Sequence, residues 1–246
     1  MAYCSVCGNE ISSDEYFCDL CGAATIIASE AIKGPAARKI RKTKPKVLIL
    51  FYSMYGHIFR MAESVSEGVK EAGGQPILKQ VPELIPKRSW NEDIKKAKEM
   101  MKDVPVAHPH KDLKGIDALI IGTPTRFGNM CSQMRNFWDQ TTKEWMAGEL
   151  IGKPASSFTG SATQHGGQET TIITTMITLL HHGCIFVGLP YSFKDQMTLK
   201  EISGGSPYGA STITGTMGER MPSDNELKMA SDLGKYLTEI TKKLST

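Results

Sequence analysis

The sequence predicts an α/β protein: an open, five-stranded parallel sheet with helices on both faces, preceded by a small metal-knuckle module. Three observations predict it. Two short runs, VLILFY at 47–52 and IDALIIGTP at 116–124, are almost wholly apolar, as strands covered on both faces must be. Between and after them apolar residues recur at helical spacing, so strands alternate with helices. Four of the six cysteines, Cys4, Cys7, Cys18 and Cys21, form C-x2-C-x10-C-x2-C near the amino end, a metal-ligand spacing.

The elements follow in chain order. Residues 1–24 hold the two knuckles, and Gly8 and Gly22 directly after each pair permit the tight turns they need. Only Ile11, Tyr16 and Phe17 lie between the pairs as core material, too little apolar surface to fold without a bound ion. Four thiolates close the coordination sphere, which favours a structural or docking role over hydrolysis. The segment looks like a short zinc ribbon; zinc is the expected ion, with iron of the rubredoxin kind as its competitor. Residues 25–46 carry no sustained apolar period and include Arg38, Lys39, Arg41, Lys42, Lys44 and Lys46, which reads as a basic, flexible linker. Residues 47–246 form the main domain.

In that domain the strand at 47–52 leads to a helix at 58–72, with Ile58, Met61, Ala62, Val65 and Val69 on one face and Gly73-Gly74 as its stop. A weaker strand is expected at 76–80. Residues 81–112 are the least regular, with four prolines around a lysine-rich helical segment. The strand at 116–124 then leads to one helix over 130–146. A strand at 153–160, a helix at 169–181, a strand at 184–188 and a closing helix at 223–244 complete the fold. Ser223 with Glu226 three residues on matches a capping box.

In an open parallel sheet the ligand crevice lies beyond the carboxyl ends of the strands. Three polar loops converge there: 53–58, 122–130 and 159–168. The first, SMYGHI, runs straight into a helix, so its N–H groups, the Ser53 hydroxyl, the turn at Gly56 and the His57 imidazole suit an anion. No lysine follows it and it has a single glycine, which excludes a triphosphate loop and the dinucleotide fingerprint and favours a monophosphate. The second, GTPTRFGNM, offers Thr123, Pro124, Thr125, Arg126, Phe127 and Gly128 to the edge of a planar heterocycle. The third supplies Thr159, Gly160, Ser161, Ala162 and Thr163, and Gly166-Gly167 let backbone approach a flat ligand. No carboxylate stands at ligand spacing from His181-His182, and no G-x-S-x-G elbow occurs. Cys131 and Cys184 read as packing residues. A net charge of +3 gives no case for nucleic acid, and with neither a bilayer-length apolar stretch nor an export signal a cytoplasmic location is expected.

The stretches YSMYGHI, GTPTRFGNMCSQMRNFWDQT, GGQETT, HHG and GGSPYGASTITG together resemble the WrbA-like NAD(P)H:quinone oxidoreductases, flavoproteins of the flavodoxin superfamily, over 47–244. The resemblance implies FMN held without a covalent bond, its phosphate in the loop Ser53, Met54, Tyr55, Gly56, His57 and Ile58. The ring is then expected against Thr123 to Phe127 and near Thr159 to Gly167. It implies further that His182 contacts FMN, that Trp145 faces the quinone, and that Tyr55 stands where NAD(P)H approaches. Dimers or tetramers are implied too, a neighbouring subunit helping to complete each site. The implied reaction passes a hydride from NAD(P)H to the flavin and two electrons on to a quinone. One departure is GSATQHGGQ, which places Ser161 and Ala162 where the family usually has a threonine-glycine step. The competing reading is a flavodoxin-like electron carrier whose knuckles dock a partner protein, with no quinone turnover.

Overall fold

A computed structural model of the protein describes residues 2–11, 20–21 and 44–244. Cys18, Tyr16, Phe17 and nearly all of the expected linker lie outside the described residues. At the amino end β1 (Ala2–Tyr3) and β2 (Glu10–Ile11) pair antiparallel, and Cys4 and Ile11 are buried between them.

The main sheet is wholly parallel. Its strands are β3 (Lys46–Phe51), β4 (Gln75–Gln80), β5 (Ala118–Pro124), β6 (Pro154–Ser161), β7 (Ile185–Phe186) and β8 (Ser211–Ile213), in the order β4-β3-β5-β6. The fifth position is shared: β7 pairs with Pro154 and Ala155, and β8 pairs with Thr159 to Ser161 further along the same strand. The expected five-stranded layout is therefore present with its last strand split in two by residues 187–210. Because the side-chain period of a strand is two, β3 sends Val47, Ile49 and Phe51 to one core and Leu48, Leu50 and Tyr52 to the other.

The first core is closed by α1 (His57–Glu71) and α7 (Asp224–Lys243). These two helices touch backbone to backbone: a methyl at Gly68 would lie 1.8 Å from the Ser231 carbonyl oxygen, and one at Gly234 2.3 Å from that of Val65. The expected capping box is formed, with Ser223 Oγ accepting from the Glu226 N–H at 3.3 Å and the Glu226 carboxylate accepting from the Ser223 N–H at 2.9 Å. The lysine-rich segment is α2 (Glu92–Met100), and α3 (Pro109–Asp112) is a single turn.

The second core lies under α4 (Ser132–Asp139), which contributes Met134, Phe137 and Trp138. Here one expectation fails. The single helix expected over 130–146 is two, α4 and α5 (Thr142–Met146). Thr141 causes the break: its hydroxyl and its N–H both bond the Trp138 carbonyl, at 2.6 and 3.1 Å, a tightened turn that ends the α-helical ladder. The strand expected at 184–188 is only Ile185–Phe186, and β8 was not expected at all. α6 (Gln168–His181) lies against β6.

The Gly68 contact gives a stability prediction. Gly68→Ala should force α1 away from α7 and cost about 1–3 kcal/mol in urea unfolding. An unchanged midpoint would contradict the close approach.

Candidate cofactor crevice and metal centre

At the carboxyl ends of β3, β5, β6 and β8 a crevice of about 500 Å³ opens. Its floor at one end is the first turn of α1. Gly56 is the N-cap, in the left-handed region at φ 94°, and no side chain caps the helix. Ser53 Oγ accepts from the Gly56 N–H at 3.1 Å, which holds the turn and leaves the hydroxyl proton free to point outward. The N–H groups of His57, Ile58 and Phe59 have no partner among the described residues, although all three residues are buried. An uncapped helix start facing a cavity suits an anion. His57 Nε2 donates to the Gly218 carbonyl at 3.0 Å. Burial lowers its pKa, partly offset by that hydrogen bond, so the neutral ring prevails at pH 7.

The second and third loops form facing walls. Pro124, Thr125 and Arg126 line one side, and Gly160 to Thr163 with Gly166 line the other. Ser53, Met54, Tyr55, His57 and Ile58 line the crevice as expected. Thr123 and Thr159 do different work. Both are fully buried; Thr123 Oγ1 accepts from the Cys131 N–H at 3.1 Å, and Thr159 Oγ1 donates to the Thr123 carbonyl at 2.6 Å. They stitch β5, β6 and the start of α4 together. Gly167 begins α6 at φ 98°, and a methyl there would meet Gly128 Cα and Thr125 Oγ1 at 3.3 Å, so this glycine lets the two loops approach each other. Gly166 lies on the crevice wall itself. Phe127, between Arg126 and Gly128 at the loop tip, has φ 53° and a fully exposed ring. A left-handed phenylalanine costs on the order of 1–2 kcal/mol.

A fourth wall escaped the sequence reading. Residues 214–218 line the crevice, as do Asn91 and Asp93 at the start of α2. The loop is fastened by Glu226, a fully buried carboxylate that accepts from Thr212 Oγ1, the Ile213 and Gly204 N–H groups and Arg220 Nη1 at 2.8–3.1 Å. The available signal was the pair Gly215 and Gly218, both at positive φ directly after β8.

The residues at 45–197 match the family of NADPH-dependent FMN reductases. The chain belongs to that family. Within it, the NAD(P)H dehydrogenase (quinone) of Aromatoleum aromaticum is 56% identical over 201 residues, spanning 81% of this chain and 97% of that one. The protein of the same description from Geobacter metallireducens is 54% identical over 81% of this chain and 98% of its own length. About a fifth of this reductase-family chain thus has no counterpart in either. Among solved structures, a WrbA-like flavodoxin protein from Agrobacterium tumefaciens superposes with a TM-score of 0.53 at 23% identity, covering 81% of this chain and 99% of that one. An archaeal flavodoxin gives 0.51 at 16%, covering 80% and 99%. The fold is that of flavodoxin.

Trp145 and His182 lie apart from the crevice of this reductase-family fold. α6 starts at the crevice wall and runs for 14 residues, about 21 Å, before reaching them. Trp145 is half-exposed and its Nε1 donates to the His181 carbonyl at 2.8 Å. His182 is buried edge-on to Trp138, ring centroids 5.0 Å apart. The Thr141 hydroxyl proton is committed to Trp138, so His182 Nε2 donates to Thr141 Oγ1 at 3.2 Å. Among the described residues its Nδ1 is then a buried acceptor without a partner, as Trp138 Nε1 is a buried donor without one.

At the amino end the sulfurs of Cys4, Cys7 and Cys21 all lie within 4.8 Å of one another, and Cys4 and Cys21 are 3.6 Å apart. Four sulfurs at about 2.3 Å around zinc are separated by about 3.8 Å, so the spacing of these three fits three corners of a tetrahedral thiolate site. Hydrogen bonds from the Cys7 and Val6 N–H groups lower the Cys4 thiol to about 6, which readies it as a ligand.

Burial, reinforced by Arg135 and His181 against Glu144, pushes His182 down to about 4. The unfolded chain protonates near 6.5, so it binds the proton first as pH falls. The stabilising contribution of a neutral His182 is complete above about pH 6.5 and is lost toward pH 4, at up to about 1.4 kcal/mol per pH unit. Urea unfolding between pH 7 and 4 should show this slope, and His182→Asn should flatten it.

Proposed function

We propose that the protein is an FMN-dependent NAD(P)H:quinone oxidoreductase. The observation that carries this reading is the crevice itself: an uncapped helix start, suited to one phosphate, at the end of a slot between two polar loops, suited to a flat ring. Its relatives named above carry NAD(P)H dehydrogenase (quinone) as their description. FMN, when bound, supplies a two-electron centre that takes a hydride and passes electrons on. The chain supplies placement. The first turn of α1 and Ser53 would hold the phosphate, while Pro124 to Arg126 and Gly160 to Thr163 would flank the ring. Tyr55, half-exposed at the rim, suits stacking against a nicotinamide.

A second copy completes the site in this reading. α6 carries no charged side chain from Thr170 to Leu180, and Ile177 and Leu180 are about half-exposed. An uncharged helix with large apolar side chains left half-exposed is normally covered, which supports a homodimer or homotetramer. Trp145 and Phe127 would then meet the ring or the quinone held by a neighbouring chain, and His182 would reach it only by turning its buried Nδ1 outward. Zinc is the ion we assign to Cys4, Cys7, Cys18 and Cys21. Val6 and Leu20, exposed at the two knuckle tips, would receive a partner protein. No helix among the described residues is long and apolar enough to cross a membrane, and the free thiols of Cys131 and Cys184 suit a reducing, cytoplasmic setting.

Anaerobic addition of NADPH or NADH should bleach the bound flavin, and benzoquinone should restore its absorbance. A flavin that stays oxidised with both donors overturns the assignment. Trp145→Ala should raise the quinone KM about fivefold, the loss of one aromatic contact worth about 1 kcal/mol, with FMN content unchanged. Elemental analysis should find one zinc per chain and no iron; removing it with a chelator should leave bound flavin in place.

A further inference from the structure

Beneath the first loop lies a partly buried polar cluster that the chemistry above does not use. Lys98, near the end of α2, places its Nζ 2.7 Å from Glu83 Oε2, 3.1 Å from the Ser53 carbonyl oxygen and 4.8 Å from the centre of the Tyr52 ring. The two charged side chains are only 14% and 19% exposed. The carboxylate is fixed from every other side. It accepts from the Tyr52 hydroxyl at 3.0 Å, Gln133 Nε2 at 3.1 Å, and the Leu84 and Ile85 N–H groups at 3.0 Å. Gln133 also donates to the Tyr52 oxygen at 3.0 Å. Burial pushes the Glu83 carboxyl up, but the Lys98 hydrogen bond and the Ile85 N–H outweigh it and hold the group ionised.

A partly buried ion pair adds little net stability once desolvation of its two charges is counted, so its presence at this point calls for another account. Lys98 does not line the crevice; it reaches the crevice through Ser53. The Ser53 carbonyl is tied down by the ammonium, and its hydroxyl oxygen is tied to the Gly56 N–H. Both ends of the turn are thereby set ahead of the unpaired N–H groups of α1.

We propose that Lys98, anchored by Glu83, is a positioning residue for the phosphate-binding turn: it holds the Ser53 carbonyl inward so that the turn and the first N–H groups of α1 face the phosphate of FMN. The proposal rests on the FMN reading above and adds a specific consequence. Loss of Lys98 weakens the hold on the phosphate and leaves the hold on the ring.

The test uses the full chain stripped of flavin, with FMN and riboflavin titrated separately by quenching of their fluorescence. The readout is the ratio of the riboflavin Kd to the FMN Kd. Lys98→Met should lower that ratio at least tenfold, and Lys98→Arg, which keeps charge and reach, should restore most of it. Lys98→Met with Glu83→Gln removes the stranded carboxylate and should give the same lowered ratio in a chain spared a buried unpaired charge. A ratio unchanged in both Met variants, with the two Kd values moving together or not at all, overturns the proposal. Unaltered protein that binds neither flavin fails differently, since it removes the FMN reading itself.

Discussion

The crevice depends on a helix left unfinished. A helix start ordinarily satisfies its first N–H groups with a serine, threonine or aspartate side chain, worth about 1 kcal/mol. α7 does this fully, with Ser223 and Glu226 closing its first turn from both directions. α1 and α6, the long helices that begin at the crevice, start instead from Gly56 and Gly167, both at positive φ and both without a side-chain cap. The chain gives up that stabilisation at α1, where the N–H groups face a cavity of about 500 Å³. The parallel sheet brings this about. Every strand points its carboxyl end the same way, so the turns into the following helices gather along one edge.

Loops that must stay open need support from below, and here two carboxylates, one buried and one partly buried, provide it. Glu83 gathers Lys98, Tyr52, Gln133 and two N–H groups under the first loop. Glu226 gathers Arg220, Thr212 and backbone N–H groups behind the fourth. An ionised carboxylate can accept several hydrogen bonds at once, which lets one side chain fix the relative positions of segments far apart in sequence. Glu226 serves in addition as the third residue of the capping box of α7. A glutamine in its place could still close the capping box but would lose the charge facing Arg220 and one of the two acceptor oxygens.

The central strands and the first three loops were legible in the sequence for a physical reason. A strand covered on both faces is mostly apolar, and β3 after Lys46 and β5 before Thr123 are wholly so; the polar residues that follow mark the loops. The same logic fails for β8, because three residues at a sheet edge carry no period, and the fourth loop was lost with it. Thr141 shows a second limit. Apolar residues keep helical spacing on both sides of it, yet its hydroxyl takes the Trp138 carbonyl and ends the helix. Thr123 and Thr159 show a third: a hydroxyl at a strand end reads alike whether it faces a ligand or ties two strands together. Trp145 and His182 were expected beside the ring by resemblance, and nothing in a linear sequence says that they end up a helix length away within one chain.

That separation turns α6 into a spacer with a defined geometry. Its first turn abuts the crevice wall at Gly166 and Gly167, and its far end presents Trp145 and the buried, unpaired Nδ1 of His182. A two-fold axis makes an isologous contact, each patch meeting its own counterpart. If the axis passes near the middle of α6, the two copies of the helix run antiparallel, and the far end of each lies beside the starting end of the other. The apolar side chains along the helix would cover one another, and His182 and Trp145 would arrive at the neighbour's crevice across the same span of about 21 Å that separates them from their own. On the dimer reading, the placement of these residues and the uncharged surface between them would be two consequences of one arrangement.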